Sequence, residues 1–234
     1  MGIEFERITE GECVLCGATA NLTGEHKIKA SLIRHEFGSR TTVFLGKDGP
    51  KFAQSPKSKV YHFKSKICQA CNSSRTQAGD HAFDLLHRCL VRLRDEGSEL
   101  TNESHTPNCT FPDCVEADYF RYFAKILCCF LADVGGPRSR SLSSFVLGAS
   151  AHNPIFLRVS KDGDYEGRLA ALGTQGFAEH GGLKFRFDSN KRWVQSIESS
   201  LSITGIRYDF WVCSYDSWSS WNYICFFLSS FRLL

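Results

Sequence analysis

Two cysteine pairs, Cys13-Val14-Leu15-Cys16 and Cys68-Gln69-Ala70-Cys71, enclose an adjacent acid and imidazole, Glu25-His26, and the second pair runs directly into Asn72. Thiolates two residues apart share one tight turn, and four of them satisfy a tetrahedral zinc ion, which makes such a site structural. What the staple holds together then matters more. A carboxylate and an amide oxygen are donors for a hard divalent cation, and an imidazole beside them can accept a proton. Adjacent residues on a strand point to opposite faces. Glu25 and His26 therefore cannot serve one face of an ideal strand, and the pair predicts a bend, a bulge, or approach to a substrate from two sides.

The elements that must position these residues can be read from periodicity. From Cys13 to about Arg94 the order is knuckle, short strand, basic insertion, second knuckle, helix. Ala82, Phe83, Leu85, Leu86, Cys89, Leu90 and Leu93 recur at helical spacing, with Arg88, Arg92, Arg94 and Asp95 on the other face. Gly79 predicts a weak point there, or a second helix starting near Asp80 as N-cap. Turn formers fill the stretch from Asp95 to Pro112, and an apolar helix over Ala117 to Ala132 ends at Gly135-Gly136-Pro137. Beyond Asn153, Leu183, Phe185 and Phe187 alternate with Lys184, Arg186 and Asp188. Ile206, Tyr208, Phe210 and Val212 alternate likewise with Arg207, Asp209, Trp211 and Cys213. Both patterns predict strands of a half-buried antiparallel sheet. The expected architecture is α+β, with a zinc-stapled domain over residues 1–95, a linker over 96–116, and a helix-plus-antiparallel-sheet domain of unknown role over 117–234.

The 234 residues are 42% hydrophobic, enough for a core, and the net charge of +3 permits a polyanionic partner without demanding one. Positive charge clusters locally at Lys47, Lys51, Lys57, Lys59, Lys64 and Lys66, against Asp48 alone, which reads either as a phosphate-contacting loop or as a solvated one. Eleven cysteines, an odd count, follow an N-terminus with no apolar leader, which predicts a reducing cytoplasm with thiols kept for metal and core. Cys128-Cys129 reads as core filling, and no segment reads as spanning a membrane. Cys109 and Cys114 lack a matching second pair. His35, His87, His105, His152 and His180 read as structural or surface residues.

The run Cys-x-x-Cys, Gly24-Glu25-His26-Lys27-Ile28, Ser31-Leu32, then Ile67-Cys68-Gln69-Ala70-Cys71-Asn72 resembles the HNH endonucleases of the ββα-metal, or His-Me finger, class. The following Ser73-Ser74-Arg75-Thr76-Gln77-Ala78-Gly79-Asp80 is similar to the helix start of bacterial members. The likeness covers roughly the first two fifths of the chain. It implies that Glu25 is the acidic metal ligand, His26 the general base and Asn72 the second metal ligand, while asparagine after a knuckle also suits a helix cap. Phe63 stands where the family's middle asparagine falls, with His62 beside it, so another group must orient His26. Lys29 stands where the family has a proline. Asp80, His81, His62 and Arg75 are further candidates, Arg75 as a phosphate contact.

The resemblance thus implies a metal-dependent endonuclease that hydrolyses phosphodiester bonds in DNA, set in a bacterial restriction or phage-defence system. Zn²⁺ would be structural and Mg²⁺ or Mn²⁺ catalytic, with Zn²⁺ or Ni²⁺ as further possibilities. Two other readings stand beside it. One is a zinc-ribbon module that binds nucleic acid or protein without cutting, suggested by Trp193, Trp211, Trp218 and Trp221. The other is a nuclease subunit controlled by an ATPase or sensor partner, suggested by the apolar end through Phe226, Phe227, Phe231, Leu233 and Leu234.

Overall fold

The stretch Tyr122 to Leu131 is apolar on every side except for Lys125, and a helix of that kind has to be buried. In the computed structural model it forms the centre of the molecule. The structure describes residues 5–6, 8, 10–38, 42–46, 49–53, 58–100, 116–174, 176–190 and 194–213. In chain order the elements are β1 (Phe5–Glu6), β2 (Leu22–His26), α1 (Ala30–Phe37), β3 (Thr42–Gly46), β4 (Gly49–Ala53), β5 (His62–Cys68), α2 (Gln77–Asp95) and α3 (Glu116–Asp133). There follow β6 (Arg138–Ser139), α4 (Arg140–Val146), β7 (Ile155–Lys161), α5 (Tyr165–Leu172), β8 (Phe177–Phe187), β9 (Val194–Ile203) and β10 (Ile206–Cys213). The class is α+β.

A six-stranded sheet runs in the order β4-β3-β8-β9-β10-β7 and is antiparallel except where β3 meets β8. Alternation along β10 buries Ile206, Tyr208, Phe210 and Val212 against the helices, as the two-residue period requires. The β9–β10 turn places Thr204 at φ 50° and Gly205 at φ 77°, the left-handed pair that matches strand twist in a tight hairpin. Phe123 of α3 packs on Tyr208 and Phe210, with ring centroids at 5.4 and 5.2 Å, and Phe130 meets Phe63 of β5 edge-on at 4.9 Å. One apolar cluster joins β2, β5, all the helices but α5, and the sheet.

The helix expected after the second knuckle begins at Gln77 and runs unbroken through Gly79. A Cβ at Gly79 would meet the Asp118 carbonyl oxygen at 3.0 Å and the Tyr122 nitrogen at 3.2 Å. Glycine here lets α2 and α3 cross closely, and Asp80 lies in the first turn of α2 instead of capping it. Helix α3 ends as its glycines predict: Gly135 turns left-handed at φ 73°, and Gly136 N–H closes on Leu131 O at 2.8 Å. The first part of the chain lends β3 and β4 to the sheet of the second part, so the two share a sheet and a core. Most of the expected linker, residues 101–115 with His105, Cys109 and Cys114, lies outside the described residues. So do Lys47, Asp48, Lys57, Trp193 and everything after Cys213, including Trp218, Trp221 and the apolar end.

Candidate metal centre and the His26 site

The four sulfurs of Cys13, Cys16, Cys68 and Cys71 lie within 4.8 Å of one another, with Cys16 and Cys68 at 3.6 Å. Tetrahedral zinc with bonds of about 2.3 Å asks for sulfur separations of about 3.8 Å, so the donor set fits a metal such as zinc. Local backbone builds each turn. Cys13 N–H bonds Ala18 O and Gly17 N–H bonds Cys13 O, both at 2.8 Å, with Gly17 at φ 78°. Val14 N–H to Lys66 O at 3.0 Å and Gln69 N–H to Asn21 O at 2.9 Å dock the two knuckles against each other's strands. Burial opposes ionisation of Cys68, but the Cys71 backbone N–H and the neighbouring thiols bring it down to about 7. Burial pushes Cys71 up, and Arg75 Nη1 points at its sulfur at 3.8 Å. Arg75 thus lies beside the staple, where its guanidinium can compensate thiolate charge.

Strands β2 and β5 run antiparallel ahead of α2, giving a strand–strand–helix unit whose two ends carry the knuckles. The pairing passes from Gly24↔Lys66 to His26↔His62, so Phe63, Lys64 and Ser65 bulge opposite Glu25. The irregularity expected beside Glu25-His26 is present, and the extra residues belong to the partner strand. Helix α3 satisfies the bulge: Ser65 N–H donates to Asp133 Oδ1 at 2.7 Å and Ser65 Oγ to Cys129 O at 3.2 Å. Phe63, at the position of the family's middle asparagine, turns into the core and is 2% exposed.

Glu25 and His26 face opposite ways. His26 is half-buried, and its ring lies 3.9 Å from that of His62, tilted by 44°. Gly24 makes room for this, since a Cβ there would stand 3.3 Å from His62 Nδ1. Burial, helped by the charges of Lys66 and Lys27, lowers the His62 pKa and leaves a neutral ring beside His26. Asn72 ties the start of the helical segment to β2: its Nδ2 donates to Thr23 Oγ1 at 3.0 Å and to Gly24 O at 3.2 Å, which leaves its oxygen available.

Glu25 points inward and is 7% exposed. Its Oε1 lies 3.0 Å from Lys125 Nζ, and the same ammonium donates to Asp80 Oδ1 at 2.5 Å. Burial pushes the Glu25 carboxyl up and Lys125 pulls it back; burial alone would lower Lys125, but Glu25 and Asp80 more than reverse this and hold it protonated. Next to this pair, Lys29 donates to Asp84 Oδ2 at 2.5 Å and to Asp80 O at 2.8 Å, pinning the start of α1 to α2. Lys29 therefore does packing work at the position of the family's proline. His81 is exposed on the far side of α2. As disposed, the acid that the resemblance assigns to a divalent cation is bound to an ammonium group, and Asn72 is turned toward the backbone of β2. This donor set does not present an open site to the ion.

Lys125, Tyr122, Lys29 and Asp84 were not legible as site residues. Only Lys125 left a trace, as the lone charge in an otherwise apolar helical run, which must find carboxylates once buried. A surface depression of about 260 Å³ lies on the outer face of the sheet, lined by Arg158, Lys184, Arg207, Asp209 and Trp211 among others, of which the sequence singled out only Trp211 for a binding role. Its two arginines both spend their charge on Asp209, at 2.8 and 3.0 Å. Among the described residues no helix is long and apolar enough to cross a membrane. Comparison with family models, with curated proteins and with solved structures finds no match to this chain.

Proposed function

We propose that the chain hydrolyses phosphodiester bonds in DNA as a zinc-stapled nuclease of the HNH type, with His26 as the general base. The observation that carries this reading is the placement of His26. It stands half-buried at the end of β2, with its ring against His62 and Glu25 turned the other way to Lys125, while the start of that strand pairs with Cys68 and its Thr23 and Gly24 accept from Asn72. A neutral imidazole can take a proton from a water attacking phosphorus. The neutral His62 adds no second positive charge beside it. Lys27 and Lys66, which act electrostatically on His62, are suited to hold the phosphate that the water attacks. Lys51, Lys59 and Lys64 extend the basic surface. The resemblance assigns a divalent cation to Glu25 and Asn72, and the contact of Glu25 with Lys125 opposes its entry.

A plasmid-nicking assay with Mg²⁺ or Mn²⁺ tests the reading. Wild type should nick, and His26→Ala should lose at least about a hundredfold in rate, the usual contribution of a general base. Equal rates in the two proteins would remove His26 from the chemistry. One observation favours a second reading, a zinc-stapled module that binds without cutting: the capture of Glu25 by Lys125. One zinc per chain, DNA retention and no cleavage under any metal would select it.

A further inference from the structure

The pocket between β2, α2 and α3 is built from charges drawn from three elements. Glu25 comes from β2, Asp80 and Asp84 from α2, and Lys125 from α3. Lys125 is 1% exposed, and its ammonium stands between two carboxylates at 3.0 and 2.5 Å. Tyr122 forms one wall. Its ring lies 5.6 Å from Lys125 Nζ and stacks at 3.9 Å on Phe83, and its hydroxyl, wholly buried, has no hydrogen-bond partner. The Tyr122 hydroxyl resists ionisation because it is buried and because Asp80, Glu25 and Asp84 all lie close to it. Asp84 Oδ1 is a second buried oxygen here without a partner. The pocket therefore gathers oxygen donors from carboxylates and a phenol, as a hard cation would want, around an ammonium that already occupies the middle.

We propose that Lys125 is the resident cation of the Glu25–Asp80 pocket, and that a divalent ion reaches Glu25 only by displacing the Lys125 ammonium. Lys125 takes one oxygen of the Glu25 carboxylate, and a divalent ion held by that carboxylate at about 2.0–2.1 Å would stand so near the ammonium that the two cations repel. Asp80 offers the ammonium somewhere to stay while Glu25 is given up, since its contact is the shorter of the two. Divalent-ion affinity at Glu25 is thereby set from a helix that contributes no ligand.

This inference concerns the ion called for by the nuclease reading, and its test requires neither DNA nor turnover. Mn²⁺ is titrated into the zinc-loaded full chain, with free Mn²⁺ followed by electron paramagnetic resonance and the melting temperature recorded in parallel. Lys125→Met, which removes the charge at similar volume, should bind one Mn²⁺ at least about tenfold more tightly than wild type, and that gain should vanish in Lys125→Met/Glu25→Gln. If Lys125→Met fails to fold, Lys125→Gln, which keeps a donor, is measured in the same way. Equal affinity in wild type and the lysine variants overturns the proposal, and so does a gained Mn²⁺ that survives Glu25→Gln. Loss of nicking in His26→Ala leaves these outcomes untouched, so the two readings fail separately.

Discussion

At the residue scale, charged and titratable side chains in this chain are governed by whether the core offers them partners. His87 is an instance away from the candidate site. It is wholly buried, its Nδ1 lies 2.7 Å from Tyr208 Oη and its Nε2 3.2 Å from Thr204 Oγ1. Burial first, then the charges of Arg94 and His35, press its pKa from 6.5 down to about 3. Glu36 Oε1 at 3.7 Å favours a proton on the ring but does not outweigh complete burial. The sign follows from linkage. Below pH 6.5 the unfolded chain takes up a proton that the folded ring refuses, so this contribution to stability is intact above 6.5 and is lost as pH falls toward 3. Urea unfolding at pH 7 and pH 5 should differ by about 2 kcal/mol from this residue, and His87→Gln should remove that difference. An unchanged pH slope in the variant would show that the ring is open to protonation. The Lys125 pair follows the same rule with opposite chemistry: its charge survives burial because two carboxylates accept from it.

At the element scale, the crossing of α2 and α3 brings Asp80 to Lys125, and Gly79 permits the approach. On an open helix face, Gly→Ala would stabilise by about 1 kcal/mol. Here the added carbon meets backbone at 3.0 and 3.2 Å, and backbone inside two packed helices cannot shift aside as a side-chain tip can. Gly79→Ala should therefore lower stability by about 1–3 kcal/mol, seen as a reduced urea midpoint, and an increased midpoint would contradict the close crossing. The bulge in β5 has a related logic. Three residues opposite one turn Phe63 inward and place His62 over Gly24, and α3 stabilises the distortion by accepting the Ser65 N–H. A straight strand would instead continue the pairing to put Lys64, not His62, opposite His26.

At the scale of the whole molecule, the cysteine cluster closes a knuckle onto the two-stranded β2–β5 sheet, which leans on α3 for its core. Chelating zinc, or replacing Cys68 by Ser, should lower the melting temperature and cost the chain its single zinc, measured by metal analysis beside a thermal scan; unchanged stability in the metal-free chain would deny the staple its role. Much of this architecture was legible in the chain itself. The cysteine spacing named the four ligands, because two thiols per tight turn is a local property. The 3.6 and 2.0 periods placed α2, α3 and β10, because each declares its buried face through its own residues; β8 forms as a strand, but the alternation there did not mark a buried face, since Phe185 and Phe187 lie exposed. Local patterns could not announce that β3 would pair with β8, that His62 would lie against His26, or that Ser65 would need Asp133, since each depends on segments distant in sequence. Thus the sequence alone determined a cysteine-stapled α+β chain with Glu25, His26 and Asn72 gathered near the staple. Only the tertiary structure decided that His26 lies half-buried against His62 while Glu25 meets Lys125. A buried carboxylate must take the nearest cation, and which cation is nearest is fixed by how helices pack.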